Sequence, residues 1–236
     1  MRLHSRYFIF VLGFILLSSL GYAKANFPAR GFAPVLDVEQ AKERLRQFKL
    51  SFFGLPKKSF HQAYSYRFQF AHYPQAGMPE KRHGFLSGLS PHSPTFRIDL
   101  IANPQDLDPL SSFLLIRDLN GSKAWKWIRG TQNAQKLTSE NWRTPWIDGI
   151  NHSPFDLLMP FVSWPFEYQK SGRVCGRPAH LFVFTPSNKD NPYSSSLDSV
   201  RLALDDAYDA PLRIEHMDGG ILPARVFSLQ SFKKVN

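Results

Sequence analysis

The chain has 236 residues and carries 29 Lys and Arg against 19 Asp and Glu, a formal net charge of +10. That length allows one domain with a core large enough to do without disulfides or a structural metal. Cys175 is the only cysteine, which excludes an intrachain disulfide and leaves the expectation of a small buried apolar residue. The cations are dispersed along the chain without a block of five or six, the pattern of a solvated surface and not of a nucleic-acid footprint.

The first segment reads as an export leader. Arg2, His4 and Arg6 form a basic start, residues 7–20 are largely apolar, and Ala23-Lys24-Ala25 is a small-residue cleavage signal. The apolar run is short for a membrane span, so cleavage after Ala25 is expected, with an uncleaved anchor helix as the alternative. No Cys follows Ala25 to carry a lipid. The expected product is a protein released into the periplasm, where anionic lipid surfaces and acidic polymers are the natural partners of a basic chain.

Residues 26–34 read as an extended lead. Asp37 then caps a helix, with Gln40 as its capping-box partner. Val38, Ala41, Leu45 and Phe48 recur at helical spacing, while Glu39, Lys42, Glu43, Arg46 and Gln47 face away. The period changes at Tyr64, where Tyr64, Tyr66, Phe68 and Phe70 alternate with polar residues, as in a half-buried strand. Further strands are expected over 84–89, 95–102, 112–119, 122–129, 166–170, 173–175, 179–185, 199–204, 211–217 and 224–233, an antiparallel meander. Residues 136–149 and 186–197 read as surface loops.

Asn120-Gly121 is a strong two-residue hairpin signal, because a type I′ turn needs positive φ at both positions. The register that follows sets Leu119 opposite Ser122, Asp118 opposite Lys123, Ile116 opposite Trp125 and Leu114 opposite Trp127. A second helix is expected from Ser153, with Pro154 at its first position, Asp156 reaching back to the cap, and Leu157, Leu158, Phe161 and Val162 making it apolar. Pro160 shortens or kinks it, and Trp164-Pro165 ends it.

Catalytic patterns are missing. There is no G-x-S-x-G around Ser194-Ser195-Ser196, no H-E-x-x-H among the eight His, and no His at metal-ligand spacing from Cys175. His180 follows the strand alternation and reads as structural. Asp205, Asp206 and Asp209 lack the calcium-loop pattern and read as a turn before Pro211. Gly219-Gly220 reads as another turn. The expectation is no enzyme, no catalytic residue, no metal and no cofactor. What remains is aromatic: Phe, Trp and Tyr make up 14% of the chain, with 21 Phe and 5 Trp. Stripes of this kind form either a closed core or the wall of an apolar cavity with the helices as its lid.

Gly84-Phe85-Leu86-Ser87-Gly88 followed by Pro94-Thr95-Phe96-Arg97-Ile98 resembles the β-hairpin of LolA-like periplasmic lipoprotein carriers. Ser153-Pro154-Phe155-Asp156-Leu157-Leu158, Gly176-Arg177-Pro178-Ala179 and Asp209-Ala210-Pro211-Leu212-Arg213 resemble an uncharacterised branch of outer-membrane lipoprotein-sorting proteins. The resemblance runs from about Glu39 to Lys234, so residues 1–25 would be the leader and 26–236 one domain. It implies a mainly β (α+β) fold, an incomplete antiparallel β-barrel of roughly 10–11 strands with lid or plug helices. It also implies a hydrophobic cavity for the acyl chains of a lipoprotein or related lipid, and a lid-locking arginine for which Arg97 is the positional candidate. On this reading Tyr66, Phe68, Phe96, Ile98, Trp125, Trp127, Phe155, Leu158, Phe161, Phe182 and Phe184 line the cavity or its lid. The partners would be acyl chains and membrane-bound donor and acceptor proteins, with no nucleic acid, and the carrier a monomer. The alternative is an envelope protein-interaction or stress-sensing module on the same scaffold. An open apolar pocket between sheet and helices would favour the carrier; a filled core with an exposed groove would favour the module.

Overall fold

Asp37 begins the helix as its capping box predicts. The Gln40 N–H donates to Asp37 Oδ1 at 2.8 Å, and the Asp37 N–H donates to Gln40 Oε1 at 3.1 Å. Together they satisfy donors that a helix start otherwise leaves unpaired. In this computed structural model the helix, α1, spans Val38–Phe53. The structure describes residues 32–53, 64–74, 77–88, 96–118, 121–138, 141, 152–153, 156, 159–188 and 195–234. The expected leader lies outside these residues. Ala41, Leu45 and Phe48 are buried as the spacing requires, but Val38 is 64% exposed. It stands in the first turn, where the stripe has run past the edge of the surface that α1 covers.

The strands are β1 (Tyr64–His72), β2 (Glu80–Gly88), β3 (Phe96–Ile101), β4 (Ser111–Asp118), β5 (Gly121–Ile128), β6 (Gln135–Leu137), β7 (Phe166–Val174), β8 (Arg177–Phe184), β9 (Ser199–Asp205), β10 (Pro211–Met217) and β11 (Arg225–Lys234). They form one sheet in the order β6-β5-β4-β3-β2-β1-β11-β10-β9-β8-β7, and every pairing is antiparallel. Two meanders are therefore joined at the centre by β1 and β11. The free edges are β6 and β7, so the sheet is an open half-barrel. Those two strands are neighbours in sequence and lie at opposite edges. Residues 138–165 must connect one edge to the other, and their described part carries the buried Met159, Phe161 and Val162.

The alternation read in the strands has a single physical outcome. Phe68, Phe70, Ile98, Leu100, Phe113, Leu115, Phe182, Phe184, Leu202 and Phe227 join Ala41, Leu45 and Phe48 of α1 in one core. Successive strand residues point to opposite faces, so this is the concave, helix-covered face. Phe68 and Phe70 meet edge to face with centroids 4.8 Å apart, and Phe68 stacks on Phe227 at 5.5 Å, geometries that favour aromatic pairs.

Several expectations are corrected. Residues 166–174 form one strand with a register shift between Tyr168 and Lys170, not two strands, because a bulge absorbs the irregular stretch. Cys175 is exposed, not buried. It has φ 51° and is followed by Gly176 at φ 77°, between the paired Val174 and Arg177. Positive φ at both central residues is the type I′ requirement. The β4–β5 register pairs Asp118 with Gly121, Ile116 with Lys123, Leu114 with Trp125 and Ser112 with Trp127. It is displaced by two residues from the expected one, since Gly121 belongs to the strand. A two-residue displacement leaves every side chain on its face, which is why the hydrophobic pattern did not expose it. Strand β6 falls in a segment read as loop. The expected second helix is, among the described residues, a turn at Ser153–Asp156 and a 3₁₀ helix, η1, over Pro160–Ser163. Met159 sits between them at φ 48° and breaks the helical path before Pro160, which has no N–H to continue it.

Gly84 lies under a close contact between strands. A Cβ there would stand 2.2 Å from the Asp99 carbonyl oxygen and 2.7 Å from Phe68 Cζ. Gly84→Ala is expected to destabilise the domain by about 1–3 kcal/mol through overpacking. Gly172→Ala, whose Cβ would lie 3.6 Å from Leu181 Cδ1, is the control and should leave the urea midpoint nearly unchanged. Equal midpoints for the two variants would refute the close-contact account.

Candidate functional site

The concave face is the first candidate. The sequence-predicted residues Phe68, Ile98, Phe161, Phe182 and Phe184 come together there, each no more than 1% exposed. Phe161 reaches it from η1 and meets Phe184 edge to face at 5.3 Å. Phe166 and Tyr168 pack against Phe182 at 6.0 and 5.5 Å. Tyr66 and Phe96 lie on β1 and β3, in strands that build this face, and Phe155 and Leu158 fall outside the described residues. Among the described residues this face is filled by packed side chains.

Helix α1 covers that face with Ala41, Leu45 and Phe48, and polar contacts add to this apolar attachment. Arg44 Nη2 lies 2.8 Å from Asp209 Oδ1, and Nη1 lies 3.3 Å from Asp206 Oδ1. Arg44 also donates to the Asp205 and Asp206 carbonyls. These acceptors sit on the β9–β10 turn. The turn is shaped by Asp205, whose carboxylate accepts the Ala207 and Tyr208 N–H groups at 3.0 and 2.9 Å and is gripped by Arg177; the sequence leads to a turn here, and the structure makes it an Asx turn. His180 Nε2 lies 2.7 Å from Asp206 Oδ1, and its Nδ1 lies 3.3 Å from Ser171 Oγ. His180 is thus a structural link. Burial pushes its pKa down while the Asp206 carboxylate pulls the other way. Ser171 in turn donates to the Pro34 carbonyl, and the Leu36 N–H donates to Tyr168 Oη at 3.4 Å. One continuous polar set therefore fixes both the approach to α1 and its middle turn.

Arg97 does not take part. It is half exposed and bonds Asp99 Oδ1 at 2.8 Å and Ser112 Oγ at 3.4 Å. Its side of the sheet also carries Trp125 and Trp127. These two predicted site residues line, with Arg97, Pro109, Ser112, Leu114, Ile116 and Ala134, a groove of about 600 Å³. The core residues Ile98, Phe113 and Ala124 alternate with this set along the same strands, so the groove lies on the face away from α1. Seven of the eleven candidates are thus divided between two faces, five on the concave face and two in the groove.

Sequence reading missed Arg44 and a buried cluster at His152, Ser153 and Asp156. Arg44 was absent from the polar face of α1, and that absence was the available signal. In the cluster, Asp156 Oδ2 accepts the Ser153 N–H at 2.7 Å and Arg225 Nη1 at 3.3 Å. His216 Nε2 stands 3.6 Å from Asp156 Oδ1. The His152 ring lies on Phe70 with centroids 4.6 Å apart, and 6.0 Å from the His216 ring. Neither ring nitrogen of His152 has a hydrogen-bond partner among the described residues.

Burial, reinforced by the Arg225 charge, holds both His152 and His216 well below the ordinary histidine pKa of 6.5. The folded state then binds fewer protons than the unfolded chain below that pH. Stability contributed by the neutral rings is complete above about pH 6.5 and is lost as pH falls, by up to about 1.4 kcal/mol per pH unit for each ring. Thermal melts from pH 7 to pH 5 should show a falling Tm, and His152→Leu should reduce the slope. An unchanged slope in that variant would refute the role of His152.

No protein-family model and no curated protein sequence matches the chain. Solved structures do resemble it. One is an outer membrane lipoprotein-sorting protein domain from Vibrio parahaemolyticus, 14% identical, with a TM-score of 0.44, covering 81% of this chain and 91% of the other. Another is a LolA superfamily protein from Nitrosomonas europaea, 9% identical, TM-score 0.37, covering 83% and 94%. A third is the MucA/MucB complex of Pseudomonas aeruginosa, 13% identical, TM-score 0.44, covering 83% of this chain and 57% of the other. At these identities the likeness concerns the path of the chain and transfers no residue role.

Proposed function

We propose that this chain is a non-enzymatic, exported binding protein that shields an acyl chain of a lipoprotein or related lipid from water, with α1 as the lid. The observation that supports this reading is how α1 is attached. It covers a broad aromatic face with Ala41, Leu45 and Phe48, and it is fastened through Arg44 to carbonyls and carboxylates of one turn. A lid held by a polar clamp can be released without dismantling the sheet. The packed concave face is then the closed form, in which α1 and η1 occupy the space of a ligand. Admitting an acyl chain gains about 0.8 kcal/mol per buried CH₂, which offsets displacement of those side chains. The leader over residues 1–25 belongs to the same proposal, since acyl chains need a carrier where they must cross an aqueous compartment.

A second reading is a protein-interaction or envelope-sensing module. The filled concave face and the open groove on the other face favour it, because such a module needs a surface and not an interior.

Purification from the periplasm followed by native mass spectrometry separates the two readings. The carrier should retain lipid and take up a fluorescent fatty acid. Arg44→Ala should accelerate that uptake several-fold, as expected when a lid contact worth about 1–3 kcal/mol is lost. Phe182→Ala, on the sheet side of that face, should weaken uptake while the β circular dichroism signal persists. Recovery without lipid, together with no uptake by the Arg44→Ala protein, would refute the carrier.

A further inference from the structure

The groove on the outer face has a composition of its own. Its floor is an apolar block on β4 and β5, Leu114 and Ile116 beside Trp125 and Trp127. Cross-strand register fixes what borders it. One row runs Arg97, Leu114, Trp125, Lys136 across four strands, so the apolar pair lies between two cations. The neighbouring row runs Asp99, Ser112, Trp127. Beyond the other end of the block Ile116 faces Lys123. Asp99 holds Arg97 at 2.8 Å, whereas Lys136 has no ion-pair partner among the described residues. The indole of Trp127 donates to the Thr131 carbonyl at 3.1 Å, which anchors its ring to the β5–β6 turn. The volume of about 600 Å³ falls within the range of small-molecule sites.

We infer that this groove is a second ligand site, for a single-chain anionic amphiphile of the fatty-acid class bound as a monomer. The Trp and aliphatic floor takes the chain and Lys136 takes the anionic end, while Arg97, three strands away and paired with Asp99, closes the opposite border. An apolar floor with a cationic border discriminates against both a neutral hydrocarbon, which leaves the cations unused, and a polar sugar or peptide, which leaves the floor unsatisfied. The site differs from the concave face on which the proposed carrier function rests, so the two stand or fall separately.

Contact quenching by ω-brominated dodecanoate, below its micelle concentration, tests the inference. Bromine quenches only an indole it touches. Trp125 and Trp127 report the groove, and Trp164, packed 6.5 Å from Phe161, reports the concave side. In a full chain carrying Trp142→Phe and Trp146→Phe, the Trp164→Phe protein, whose remaining indoles line the groove, should be quenched, and any quenching left in the Trp125→Phe/Trp127→Phe protein belongs to the concave side. Quenching that vanishes only with Trp164→Phe would overturn the groove site and leave the carrier reading intact. No quenching in any variant would overturn the groove site. A second measurement uses the otherwise unaltered protein. Lys136→Glu should weaken dodecanoate about threefold, as for an exposed charge contact, and leave methyl dodecanoate unchanged. Equal affinity of the unaltered protein for the acid and the ester would overturn the assignment of an anionic ligand.

Discussion

The pairing of β1 with β11 is the constraint on which the rest of the molecule depends. Once the two ends of the domain meet at the centre of the sheet, β6 and β7 are forced to the two edges. They are consecutive in sequence, so the chain between them has to return from one edge to the other. In most domains such a connection runs over the surface, because buried backbone needs partners. Here His152, Ser153, Asp156, Met159, Phe161 and Val162 are buried, and Asp156 accepts bonds from Ser153 and Arg225 within the crossing. The same passage delivers Phe161 and Val162 into the concave core. Core packing, the buried histidines and the lid are thus linked through one connection.

That linkage gives the two faces of the sheet different characters. The concave face is dense and is closed by parts that polar contacts hold in place. The outer face is open, and its groove is already shaped before any ligand arrives. On the proposed function, filling the first requires release of α1, whereas the groove is open without it, so a protein using both would hold one gated site and one site available at all times.

Much of the architecture was legible in the sequence because it follows from period and capping. The helix start at Asp37, the alternation of Phe68 and Phe70, and the Asp205 turn each rest on a local rule. The site was only partly legible. Trp125 and Trp127 share strand character with Phe113 and Ile98, and period two states only that alternate residues part company, not which set meets the helix. The register of β4 and β5 escaped for a related reason, since a displacement by two is invisible to a face pattern. The Arg44 clamp joins residues far apart in sequence, and the buried histidines acquire their character from Arg225 and Phe70. No local spacing encodes those meetings.

The pairing of Tyr64 with Lys234 also has a kinetic consequence. The two strands that close the middle of the sheet are separated by nearly the whole domain, and non-local contacts of this kind make folding slow because loop closure precedes any gain from the contact. Until β11 is present, β1 and β10 both offer unpaired backbone along the sheet centre, an aggregation hazard while it lasts. The centre of the sheet is therefore completed only when β11 pairs with β1 and β10, so its middle strands gain protection late in folding.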